Sequence, residues 1–100
     1  MNIIREEKSI KIDFEGTFDK QDEEELERFV VQELQGVSKL SFDAKGVADI
    51  SSTGLRILAY AQGIMNEQGM MYVEHAGERV EWLCRAHDIL CSKSDRWLET

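Results

Sequence analysis

The sequence predicts one α/β domain over residues 1–100, a mixed β-sheet of four to five strands with three to four helices packed against it. Three observations lead there. Segments whose apolar residues recur at every second position take turns with segments in which they recur at helical spacing, as when strands and helices follow one another along the chain. Glycines at 16, 36, 46 and 69 fall where the period changes. No proline, internal repeat or low-complexity tract marks a second domain. Such alternation is met most simply by a mixed or largely parallel sheet with helices laid against it.

Residues 3–5 read as a short edge strand, and residues 9–14 alternate, with Ile10, Ile12 and Phe14 on one side. Gly16 and Asp19 end that pattern. From about 21 to 35, Leu26, Phe29, Val30 and Leu34 stand at i, i+3, i+4 and i+8, which describes an amphipathic helix closed by Gly36. Its other face is acidic, and Asp22, Glu23 and Glu24 in the first turn suit the helix dipole. The run reads as a solvated face that would also steer a basic partner. Alternation returns over 37–44, with Leu40, Phe42 and Ala44 together.

The next helix, about 53–67, turns Ile57, Leu58, Ala61, Ile64 and Met65 inward and stops at Gly69. Residues 70–73 are mostly apolar without alternation, so a central strand covered on both faces is expected there. Val80, Leu83, Cys84 and His87 have helical spacing over 78–87, with Cys84 and His87 directed inward or toward a helix end. A brief strand at 89–91 and a terminal helical turn at 94–98 complete the series.

Composition narrows the function classes. Hydrophobic residues make up 42% and charged ones 32%, the balance of a globular domain able to bury a core. A formal net charge of −8 is the wrong sign for nucleic acid or an anionic membrane surface, both of which call for clustered Lys and Arg. Charge appears too early, from Arg5, for a signal peptide, and no apolar run approaches the ~20 residues of a membrane span. A cytoplasmic protein with reduced thiols is expected. Cys84 and Cys91 form no CxxC pair, and His75 and His87 supply no ligand spacing with them, so no metal and no cofactor is expected.

The most informative stretch runs from Asp49 through Ile50, Ser51, Ser52, Thr53 and Gly54 into the apolar helical pattern. Three hydroxyls therefore stand where a loop becomes a helix, on a strand-to-helix connection of the kind where α/β sheets gather function. Free N–H groups at such an end accept a capping side chain, and its partial positive charge tolerates an anion. Capping and phosphorylation are both open to these residues. Arg56, Tyr60, Gly63 and Glu67 continue from Ser52 as an exposed stripe. Arg56 and Tyr60 have plainer readings, as a solvated cation and a ring covering the helix flank.

Residues 40–58 resemble the STAS domains, and within them the single-domain anti-sigma factor antagonists. The likeness lies in an apolar strand ending in Asp43, the turn Gly46-Val47, the doublet Ser51-Ser52, the small residue Thr53, and Gly54-Leu55 opening a helix. Residues 14–19 and 80–87 also look like parts of that family, although the central segment alone is specific. The resemblance implies a protein of bacterial signalling that binds an anti-sigma factor, itself a serine kinase, and so frees a sigma factor for transcription. It further implies phosphorylation at Ser52 by that kinase, reversal by a PP2C-type phosphatase, and partner contacts through Asp49, Ser51, Ser52, Thr53, Arg56, Tyr60 and Gly63. Two positions depart from the family pattern. Ser51 stands where members often carry Asp, which leaves Ser51, Ser52 and Thr53 all phosphorylatable, and His87 replaces a glycine after the third helix.

The chain would then be a kinase substrate and not an enzyme. A serine nucleophile would need His75 or His87 as its base, and neither a G-x-S-x-G elbow nor a phosphate-binding GxxxxGK[ST] loop is present. The alternative is an interaction module of the same family that works without phosphorylation in another regulatory complex. The sequence names neither the sigma factor nor an oligomeric state.

Overall fold

A computed structural model describes residues 1–92. Its elements run β1 (Asn2–Glu6), β2 (Ser9–Asp13), α1 (Lys20–Glu33), β3 (Lys39–Asp43), α2 (Ser52–Gln68), β4 (Met70–Glu74), α3 (Glu78–Ala86) and β5 (Cys91–Ser92). Five strands and three helices among the described residues make the expected mixed α/β domain; the helical turn foreseen at 94–98 lies outside them. The strands lie in sequence order, β1 antiparallel to β2 and the rest parallel. Parallel crossovers are right-handed almost without exception. Three that step the same way across a sheet therefore lay their helices on one face.

That face is the core. Ile10, Ile12, Leu40, Phe42, Met71 and Val73 project from β2, β3 and β4 and are buried with Leu26 and Phe29 of α1, Leu58 and Met65 of α2, and Val80 of α3. The opposite face carries Lys11, Ser41 and Tyr72, neighbours across the parallel register. Residues 70–73 thus correct the expectation of a strand covered on both sides. Met71 and Val73 are buried, but Tyr72 is half-buried beneath Lys39 and Met70 is exposed, while β3 holds the middle of the sheet. An apolar residue facing away from the core does not betray itself in the period, which is why this strand looks doubly covered.

Local chemistry sets the helix ends. Asp19 caps α1 reciprocally with Asp22, each carboxylate accepting the other's backbone N–H. Gly69 ends α2 where a Cβ would overlap the Ser38 carbonyl oxygen, so the chain can enter β4 there only through glycine. Among the described residues, no helix is long and apolar enough to cross a membrane.

Candidate functional site

The loop 44–50 leaves the carboxyl end of β3, and Ser51 then caps α2 from an extended backbone at φ −70°, ψ 164°. Its Oγ accepts the Gly54 N–H at 3.0 Å and donates to Glu23 Oε1 at 2.8 Å. A hydroxyl has one proton to give, so both sides of this group are in use. Glu23 is only 9% exposed, and the bond to Ser51 joins the first turns of α1 and α2. Ser51 therefore caps the helix as an Asp would at such a position.

Ser52 is the first residue of α2, one earlier than the apolar pattern indicates, because the cap sits on Ser51. It is exposed, and its hydroxyl makes no hydrogen bond among the described residues. Thr53 is exposed beside it. Hydrogen bonding thus sets Ser51 apart from the other two, while Ser52 and Thr53 are alike, both exposed and neither hydroxyl bonded among the described residues. Gly54 follows for a steric reason: a Cβ there would stand 2.8 Å from the Phe18 ring and 2.9 Å from Ile50 Cγ2. Phe18 cannot easily yield, being stacked on Phe14 at 4.5 Å between ring centroids.

Arg56 and Tyr60 continue along the exposed side of α2 and face α1 across a groove. One depression of about 270 Å³ is lined by Glu27, Val30, Val31, Arg56, Ile57 and Tyr60. A second, about 280 Å³, adjoins it toward the helix starts, where Lys20, Glu23, Glu24 and Thr53 enter its wall. Val31 is 65% exposed and Tyr60 58%, so Tyr60 stands out from the helix flank instead of lying along it. Arg56 makes no ion pair among the described residues. Gly63 is exposed, with no atom within 4 Å of where a Cβ would be. Asp49 belongs to a different contact: its Oδ1 accepts the Ile50 N–H at 2.9 Å and Arg79 Nε at 3.3 Å, fastening the loop to the start of α3. Ser52, Thr53, Arg56, Tyr60 and Gly63 accordingly form one exposed surface, with Ser51, also exposed but engaged as cap, at its edge and Asp49 turned toward α3.

A second group escapes the reading of spacings. Asp43 and Glu74 are partners in the parallel register at the carboxyl ends of β3 and β4, and His75 follows directly. One donor atom from each of the three lies within 4.8 Å of the others. His75 Nδ1 is 3.1 Å from Asp43 Oδ1, which also accepts the Lys45 N–H at 3.0 Å. Partial burial opposes ionisation of Asp43, but the Lys45 N–H, the imidazole and Lys11 outweigh it and hold the carboxyl below its ordinary range. The other histidine, His87, ends α3 and donates from Nδ1 to the Leu83 carbonyl at 2.9 Å. Cys84 is buried, and its hydrogen bond with Cys91, together with burial, pushes its thiol pKa up.

No family model matches the chain, and no curated protein does.

Proposed function

We propose that this chain is an anti-sigma factor antagonist of the STAS type. In this reading the exposed side of α2 binds an anti-sigma factor serine kinase in the cytoplasm, and phosphorylation of Ser52 ends the complex. The observation that carries the reading is the division of labour in the serine pair. Ser51 is consumed by the Gly54 N–H and the Glu23 carboxylate, while the Ser52 hydroxyl is exposed at the first position of the helix.

The setting suits a phosphate. A phosphoserine carries about −1.5 to −2 charges at neutral pH, and a helix N-terminus tolerates them. Arg56, one turn further along α2, is available to pair with that charge, so the free protein keeps its fold. A partner seated over Ser52 and the Arg56–Tyr60 surface would bury the new charge against an apolar or acidic surface. That costs several kcal/mol, roughly a hundredfold or more in affinity. A PP2C-type phosphatase would restore binding. The chain itself performs no catalysis in this scheme.

The experiment compares binding of the native chain, Ser52→Ala and Ser52→Asp to the ATP-binding kinase that the chain retains from native extract. Ser52→Ala binds as the native chain does, and Ser52→Asp binds roughly a hundredfold more weakly. Equal affinities for the two variants would remove charge gating from the scheme. Mass spectrometry after incubation with the kinase locates the phosphate on Ser52, against Ser51 or Thr53. Stable binding with no modification at any of the three would identify a phosphorylation-independent interaction module.

A further inference from the structure

We propose that Asp43, Glu74 and His75 bind a divalent first-row transition-metal cation, for which Zn²⁺ is the natural probe, at the carboxyl edge of the sheet. The site is independent of the Ser52 reading and needs no partner protein.

The donors come together for reasons built into the fold. Asp43 closes β3 and Glu74 closes β4, and their in-register parallel pairing makes them neighbours. Their side chains share the sheet face of Lys11, Ser41 and Tyr72, because alternate residues of a strand point the same way. His75 stands at the first position beyond β4 and turns back on Asp43, with Nδ1 at 3.1 Å from Oδ1. Donor atoms within 4.8 Å of one another can close on a common ion with bonds of about 2.0–2.2 Å after small rotations. The His75 side chain is exposed and the two carboxylates are half-buried, so none of the three is sealed from an incoming ion.

The donor set selects the class of ion. Carboxylates alone would suit Mg²⁺ or Ca²⁺, but an imidazole favours the later transition ions. Three protein donors leave a coordination position for water or a further ligand. The electrostatics favour a cation: Asp13 pairs with Asp43 on the next strand, and the chain carries a formal net charge of −8. One positive group already competes, since Lys11 Nζ lies 3.7 Å from Glu74 Oε2. Its removal should therefore improve metal binding, an effect opposite in sign to the loss of a ligand.

The test is calorimetric titration of the full chain with ZnCl₂ and separately with MgCl₂, for the native protein and for His75→Asn, His87→Asn and Lys11→Gln. Asparagine suits the left-handed backbone of His75, at φ 57°, so the variant folds, as circular dichroism will verify. One Zn²⁺ binds per native chain, more tightly than Mg²⁺. His75→Asn weakens Zn²⁺ binding by at least about tenfold, His87→Asn leaves it unchanged, and Lys11→Gln strengthens it. Absence of Zn²⁺ binding at millimolar metal would overturn the proposal, as would an affinity unaltered in His75→Asn. Thiolate charge-transfer bands on substitution with Co²⁺ would overturn it too, by placing the ion on Cys84 and Cys91.

Discussion

The Ser51 hydroxyl donates to Glu23 Oε1 at 2.8 Å across 28 residues of sequence, while the same oxygen accepts the Gly54 N–H. One side chain thereby caps α2 and supplies a partner to a carboxylate almost removed from solvent. Ser51→Ala loses the cap and leaves Glu23 without its donor, which should lower stability by roughly 1–3 kcal/mol. Urea denaturation of the variant measures this directly. A change below a few tenths of a kcal/mol would mean that neither bond persists in solution.

Ser52 provides the contrast. Its hydroxyl is exposed and makes no hydrogen bond among the described residues, so Ser52→Ala should stay within about 0.5 kcal/mol of the native chain. Ser52→Asp should be neutral or slightly stabilising, since a carboxylate in the first turn interacts favourably with the helix dipole by about 0.3–1 kcal/mol. Thermal melts of both variants would show it. Loss of structure in Ser52→Asp would place the effect of a negative charge on folding instead of on association.

Gly54 is the steric counterpart of the cap. A methyl group there meets the Phe18 ring, itself held on Phe14, and forces either the ring or the start of α2 to move. Gly54→Ala should cost about 1–3 kcal/mol despite alanine's better helix propensity. The denaturant midpoint reports the loss. Gly63→Ala is the matched control and should stabilise, by up to about 1 kcal/mol, because the space beside it is open.

Acid should weaken the fold through Asp43. Its folded-state pKa lies below the ordinary 3.8, so the native state holds the carboxyl proton less tightly than the unfolded chain does. The stability this contributes is present above the ordinary value and is lost as pH falls through the lowered one. Asp43→Asn should therefore show a shallower decline of the urea midpoint between about pH 5 and 2 than the native protein. Some decline will remain, since Asp19 is lowered in the same direction, chiefly by the Asp22 N–H. Parallel curves for the native chain and Asp43→Asn would assign the acid sensitivity to other groups.

Local patterns in the sequence determined the order of strands and helices, the buried stripes of α1, α2 and α3, and a hydroxyl-rich helix start beyond β3. These depend on period, glycine and capping residues within a few positions of one another, and such interactions are written in consecutive residues. Tertiary structure decided the rest. Ser51, the cap after which α2 starts at Ser52, also meets Glu23 on another helix, a contact 28 residues away in sequence. Asp49 went to Arg79 of α3, 30 residues away, a pairing that no spacing announces. The partial exposure of Tyr72 followed from crossovers of one hand, which clothed only one side of the sheet. Asp43, Glu74 and His75 met because parallel strands set their carboxyl ends side by side. Asp43 at the end of a strand was visible in the chain, but Glu74 as its neighbour was not, because that register arises only when segments distant in sequence pair.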